Sequence, residues 1–302
     1  MATFGEKERY CQTSFNSGGP YWHLYTSGKN TGLIFKTKED YVYAMNVMAQ
    51  VALNFPKLHI VTFAIMDNHV HILISGPQDE VIRFFNFFRK KLTRGLNDGL
   101  PKTFIPFLKE ITDLKMMRNE IAYINRNGYT PNPAYTPFSY PWGANVYYYN
   151  CSFSGNIIGS LTFREVRKLL KSRALNIPPE WQIFDGYIMP ISYCAIKFGM
   201  AMFRDAHHYF KAISKDVEAY HGVAEEIGDG EYLSDEEVFD IVQKILRENY
   251  NGVQIGKLSK AQKEDVARTL HYECHSSNGQ ISRLLYMSLY DVDRVFPMPI
   301  IK

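Results

Sequence analysis

The chain has 302 residues, 46% hydrophobic and 22% charged, with a net charge of +3. That is ordinary globular composition, longer than one average domain and able to bury two or three packed units. A disulfide-stapled peptide, a disordered tail and a coiled coil are excluded.

Taken in chain order, Tyr21 to Ser27 is aromatic and β-prone, and Lys38 to Phe55 carries Tyr41, Met45, Met48, Ala52 and Phe55 at helical spacing. His59 to Met66 and His69 to Ser75 are β-branched runs separated by the turn-favouring pair Asp67-Asn68, so they read as the strands of a hairpin. Val81 to Leu96 reads as a helix and Phe104 to Ile111 as a strand. Leu114 to Arg126 reads as a third helix, with Met117, Ile121 and Ile124 on one side. This order predicts an α+β fold, a small antiparallel sheet covered by helices.

Pro131, Pro133, Pro137 and Pro141 then end regular structure. Residues 160 to 220 look helical from an amphipathic start at Phe163 to Arg173. Gly222 to Glu231 reads as a linker, and Ser234 with Glu237 forms a capping box. Ser259 with Gln262, Ser277 with Gln280 and Ser288 with Asp291 open three short helices. Their apolar positions (Val266 and Leu270; Ile281, Leu284 and Leu285; Val292, Val295 and Phe296) predict a trihelical helix-turn-helix. The expected division is an α+β domain over 1–145, a helical middle region over 146–256 and a helix-turn-helix-like DNA-binding module over 257–302, so that everything after 145 is all-α.

The four cysteines (Cys11, Cys151, Cys194, Cys274) make no CxxC pair, which fits reduced thiols in the cytoplasm better than bridges or a zinc cage. The first residues are polar, and the most apolar stretch, Pro190 to Phe203, is short and broken by Lys197. We therefore expect neither a secretion signal nor a membrane partner. Charge divides as +5 over 1–130, −4 over 131–256 and +2 over 257–302. Arg83, Arg89, Lys90, Lys91 and Arg94 lie together without an acid, and Arg164, Arg167, Lys168, Lys171 and Arg173 face only Glu165. Such clusters suit a phosphate backbone, and equally a pair of solvated helix faces.

The sharpest chemical signal is Asp67-Asn68-His69-Val70-His71-Ile72-Leu73-Ile74. On a strand, His69 and His71 project from one face while Val70, Ile72 and Ile74 line the other, so the imidazoles either share a metal ion or form a hydrogen-bonded structural pair. Tyr123 and Asn127 are four apart on the third helix, which presents a phenol and an amide oxygen to the same region. Gly252 to Lys257 is no phosphate loop, because only three residues separate its glycines and Leu258 follows the lysine.

His-hydrophobic-His in the context MDNHVHILISG, followed after a basic helix by YINRN, resembles the single-tyrosine HUH transposases of the IS200/IS605 type. It is most similar to their repeat-associated relatives, whose tyrosine motif commonly has the form YIxxNP. Tyr123, Ile124 and Asn127 match that motif, Gly128 stands where the family usually has proline, and PFSYPWG is similar to the YPW segment that often follows. The resemblance covers residues 20 to 145. It implies a ferredoxin-like HUH nuclease domain in which His69, His71 and Asn127 bind Mg²⁺ or Mn²⁺ and Tyr123 is the nucleophile. A phenol of pKa about 10 is a poor nucleophile at neutral pH, which a metal site would remedy. The implied activity is DNA transposition or related processing through a 5′-phosphotyrosine, with single-stranded or hairpin DNA as partner; the sequence leaves the oligomeric state open, a homodimer being one assembly it allows.

On this reading Arg83, Arg89, Lys90, Lys91 and Arg94 track the DNA backbone, while Arg283 and Arg294 of the helix-turn-helix contact a duplex stem. Trp142 and Tyr147 to Tyr149 are expected to be exposed for base stacking, whereas most of Phe84, Phe85, Phe87 and Phe88 belong to the core. Two rivals stand beside it. A domesticated regulator would bind hairpin DNA without catalysis. A metal-dependent hydrolase of small molecules would want a third alternating histidine, where the chain has Leu73.

Overall fold

The computed structural model describes residues 3–28, 31–128, 135, 138–150, 152–172, 176–215, 223, 235–272, 274, 276 and 278–296. Helix α1 (Phe4–Asn16), which the sequence patterns did not announce, starts at a reciprocal capping box between Thr3 and Glu6. Strand β1 (Tyr21–Tyr25), helix α2 (Lys38–Asn54), strands β2 (His59–Ile65) and β3 (Val70–Ser75), helix α3 (Gln78–Gly95), strand β4 (Phe107–Ile111) and helix α4 (Leu114–Asn127) follow. Every element predicted for this stretch is present.

The strands form one antiparallel sheet in the order β2-β3-β1-β4. Strands β1 and β2 therefore run parallel with β3 between them, as β3 and β4 do with β1 between them, and α2 and α3 are the two crossovers. Crossovers of one hand put both helices on one face, and α2 and α3 pack on each other. Helix α4 packs against β2 and β3 from the other face, so β3 is buried along its whole length.

Register decides which side chains meet α4. Tyr25 and Ala64 lie opposite His71, and His23 lies opposite both Leu73 and Lys109. Directly opposed residues share a face, so β1, β3 and β4 all contribute polar groups beneath α4. Residues 141–144 run along β2: Ile65 N–H donates to the Trp142 carbonyl at 2.8 Å and Ala144 N–H to the Phe63 carbonyl at 3.0 Å.

Beyond residue 145 come β5 (Asn156–Ile157), α5 (Phe163–Leu170), β6 (Gln182–Phe184), β7 (Tyr187–Ile188), α6 (Ile196–Ala201) and α7 (Ala206–Lys215). β5, β6 and β7 make a second small antiparallel sheet, so the all-α expectation for this region is corrected. The cause is the Asp185-Gly186 turn, with φ of 49° and 87°. Two successive positive φ values close a tight hairpin, but the flanking strands are too short to carry a readable period.

Core packing crosses the expected boundaries. Phe15 and Leu24 share one core with Tyr148, Met189, Tyr209 and Ile213, so it extends past residue 145. A second core unites α8 (Asp235–Asn249), α9 (Lys260–Tyr272), α10 (Asn278–Leu285) and α11 (Leu289–Val295). Val238, Val242 and Leu246 of α8 pack there with Val266, Leu270, Ile281, Leu285 and Val292, so residue 256 falls inside this unit. The caps at Ser259 and Ser288 form as expected. Ser234, Ser277, Arg173 and most of the 222–231 segment lie outside the described residues. Among those described, no helix is long and apolar enough to cross a membrane, and none of Cys11, Cys194 and Cys274 is in a disulfide.

Helix α4 is tied down at several points. Its N-cap Asp113 accepts from Met116 N–H. Arg118 donates to both Glu8 carboxylate oxygens and to the Met202 carbonyl. Asn125 accepts from the Thr62 hydroxyl of β2 and donates to the Tyr209 hydroxyl of α7.

Candidate active site

The start of strand β3 and helix α4 bring His69, His71 and Tyr123 together. The His69 and His71 rings lie edge to face with centroids 4.8 Å apart, and the Tyr123 ring stands 5.3 Å from His71. Asn127 follows one turn beyond Tyr123 on the same helix face. His69 and Tyr123 are 1% exposed, His71 and Asn127 fully buried.

The hydrogen-bond network assigns the His69 tautomer. The Asn68 amide nitrogen donates to the carbonyls of Gly28 and Thr31 at 3.1 and 3.0 Å, so the amide oxygen is the group that faces His69. It stands 2.6 Å from His69 Nδ1 and accepts that N–H. His69 therefore holds its proton on Nδ1 and a lone pair on Nε2, the form in which an imidazole binds a metal.

Asn127 supplies an independent test of fit. Its buried amide has a hydrogen-bond partner on neither nitrogen nor oxygen among the described residues. Leaving a buried amide unsatisfied costs about 1–3 kcal/mol, a cost that coordination of a cation by the oxygen would offset. Two imidazole nitrogens with an amide oxygen make a mixed donor set suited to a divalent cation, the imidazoles favouring Mn²⁺ over the harder Mg²⁺. No group of three His, Cys, Asp or Glu side chains that could hold a metal occurs among the described residues; the third donor here is an amide, outside those four types.

Sequence reasoning missed four residues around this centre: Asn68, His23, Lys109 and Glu120. His23 Nδ1 is 2.7 Å from Glu120, and the Lys109 ammonium is 2.7 Å from the other Glu120 oxygen. His23 Nε2 is 3.0 Å from His71 Nδ1. Burial alone would raise the Glu120 carboxyl, but His23 and Lys109 outweigh it and hold the group below its ordinary value. The spacing of Glu120 to Tyr123 was readable as one helix face. Which strand lies beside β3 was not, and without that neither His23 nor Lys109 could be placed.

The basic residues of α3 do not line this centre. Arg83, Arg89, Lys90, Lys91 and Arg94 belong to the layer on the far side of the sheet. Arg83 pairs with Glu80 at 2.7 Å. Lys91 donates to Gln50 at 2.9 Å, and burial followed by the nearby Arg94 lowers its pKa. The second basic cluster meets the first across Tyr43, whose hydroxyl donates to the Lys91 carbonyl at 2.8 Å and whose ring lies 5.0 Å from the Lys171 ammonium. Arg164, Arg167, Lys168 and Lys171 are exposed on and just after α5. In the second core, Arg283 is exposed on α10 and Arg294 pairs with Glu264 at 3.3 Å.

The aromatic expectations divide. Trp142, Tyr147 and Tyr148 are buried rather than exposed: Trp142 stacks on Tyr41 at 4.9 Å, and the Tyr148 and Tyr149 hydroxyls donate to the Val61 and Met200 carbonyls. Phe84, Phe85 and Phe88 are core, as expected. A stair that the sequence did not suggest leads inward instead, from Phe107, 42% exposed, to Tyr25 and on to His71, with ring separations of 5.5 and 6.2 Å.

Gly128 explains its own departure from the YIxxNP pattern. A Cβ there would lie 2.0 Å from the Tyr140 ring, and that ring is buried with its hydroxyl donating to the Ile65 carbonyl at 2.6 Å. Tyr140 occupies the space a proline ring would need. Comparison with protein-family models, with curated proteins and with solved structures finds no match to this chain.

Proposed function

We propose that this protein is a metal-dependent single-tyrosine HUH endonuclease that nicks single-stranded or hairpin DNA and transfers the cut strand through a 5′-phosphotyrosine. The observation that carries the reading is the meeting of Tyr123 with the His69 and His71 pair, from a helix and a strand that the sequence alone could not dock together. The sheet order β2-β3-β1-β4 with two crossover helices is the order a ferredoxin-like domain would have, and so supports the HUH reading.

The Nε2 atoms of His69 and His71 and the Asn127 oxygen are the groups that would hold Mg²⁺ or Mn²⁺, which when bound would offset the negative charge on the phosphoryl and leaving-group oxygens. Tyr123 attacks the phosphodiester, the bond from phosphorus to O3′ breaks, the phenolic proton is lost and O3′ takes up a proton. A second 3′-hydroxyl then attacks the phosphotyrosine and regenerates the phenol. The covalent bond conserves the energy of the broken one, so no nucleotide triphosphate is consumed.

The stair of Phe107 and Tyr25 is a base-stacking path to the centre. The joined basic surface of α3 and α5 suits the phosphates of a duplex stem, with Arg283 and Arg294 as further contacts.

A denaturing gel of the protein with labelled single-stranded and hairpin oligonucleotides and Mn²⁺ tests the reading. Wild type should give a slow-migrating covalent band that Tyr123→Phe and His71→Ala each abolish. A band that survives Tyr123→Phe overturns the nucleophile. Binding of the same hairpins without any band would favour a non-catalytic regulator.

A further inference from the structure

We propose that His23 and Glu120, with Lys109 as their anchor, are positioning residues that hold the His71 imidazole with its Nε2 lone pair available for metal. The proposal rests on the metal-dependent reading above. It follows from three buried contacts: Lys109 to Glu120 at 2.7 Å, Glu120 to His23 Nδ1 at 2.7 Å and His23 Nε2 to His71 Nδ1 at 3.0 Å.

Charge sets the direction of this chain. Glu120 brings one negative charge and Lys109 one positive, so the set is neutral when His23 is neutral, the cheapest state for groups out of water. At 2.7 Å from the Glu120 carboxylate, His23 Nδ1 is the nitrogen that keeps its proton, since a lone pair there would face the oxygen's negative charge. The other nitrogen of His23 then carries a lone pair, and at 3.0 Å it accepts from His71 Nδ1–H. His71 is left with its lone pair on Nε2.

The same result reaches His69 by another route, through Asn68 and the two carbonyls that fix its amide. Both histidines of the pair thus share one tautomer, imposed by unrelated partners. Partners that orient a ligating histidine typically change metal affinity by about 10- to 100-fold when removed.

The test uses the full chain in two ways. In the metal-free wild type, long-range proton–nitrogen NMR of the imidazoles should report His71 protonated on Nδ1, and an Nε2–H signal overturns the proposal. In Mn²⁺ titrations followed by electron paramagnetic resonance, His23→Phe fills the space without an acceptor and should weaken binding about 10- to 100-fold. His23→Gln, whose side-chain oxygen can accept from His71, should recover most of it. Equal affinity in wild type and His23→Phe overturns the relay, as does equal loss in both variants. The tautomer signal needs neither metal nor DNA, so it stands or falls apart from the nuclease reading. Mn²⁺ binding unaffected by His69→Ala would defeat the metal site alone.

Discussion

Phe107 of β4 and Tyr25 of β1 face each other across the ladder with their rings stacked 5.5 Å apart, and Tyr25 in turn stacks on His71. Of Phe107 and Tyr25, Phe107 is the more exposed. Phe107→Ala should weaken binding of a single strand by about 1–3 kcal/mol for the base it stacks, while leaving duplex binding unchanged. Fluorescence anisotropy with matched single-stranded and duplex oligonucleotides reads the difference, and equal losses on both would remove the stacking role.

Asn127 should show a conflict between stability and function. Its amide is buried without a partner among the described residues, so Asn127→Leu removes an unsatisfied group at nearly constant volume. The metal-free variant should be more stable than wild type by about 1–2 kcal/mol in urea unfolding, and its Mn²⁺ affinity should collapse. A destabilised variant would mean that the amide is satisfied in solution.

How far the sequence led can be seen in this same centre. The alternation around His69 and His71 and the four-residue step from Tyr123 to Asn127 were local patterns, and both survive as shared faces. His23 is local to nothing. It reaches His71 because β1 pairs with β3, a contact between residues 48 apart that no spacing rule encodes. The second sheet escaped because two-residue strands have no period, and α8 was left outside the last unit because its apolar stripe finds its partners only in three dimensions.

The joined basic surface should govern salt dependence rather than chemistry. Arg167→Gln and Lys171→Gln, like Lys90→Gln and Arg94→Gln, should each lower the slope of log K against log salt by about 0.9 for every duplex phosphate that is no longer neutralised. Cleavage of a saturating single strand should be unchanged. A drop in cleavage at saturation would place these cations nearer the reacting phosphate than the layering of the fold allows.

Acid should loosen the contacts that hold α1 and α7 to α4. Burial, then Arg204 and Arg118, lowers His208 to about 4 from an ordinary 6.5, so the unfolded chain takes up a proton first and stability falls as pH drops from about 6.5 toward 4. The bonds from Arg118 and then Arg204 outweigh burial and lower Glu8 to about 2 from 4.5. Its contribution is present above pH 4.5 and is lost as pH falls toward 2. Urea midpoints across pH should show both limbs, with His208→Gln removing only the upper one and Glu8→Gln only the lower.

Gly128→Ala should destabilise the protein, although the same change in an open helix stabilises it by roughly 0.5–1 kcal/mol. The added methyl would strike the buried Tyr140 ring. Tyr140→Ala in the same chain should relieve the clash, so the two decreases in melting temperature should be less than additive.

Tyr123 is only 1% exposed, and that seclusion bears on the fate of a captured strand. On the proposed mechanism a phosphotyrosine formed at such depth would sit where bulk water has little access, so spontaneous hydrolysis would compete poorly with attack by a delivered hydroxyl. The burial of one phenol would thereby favour rejoining ends over leaving them broken.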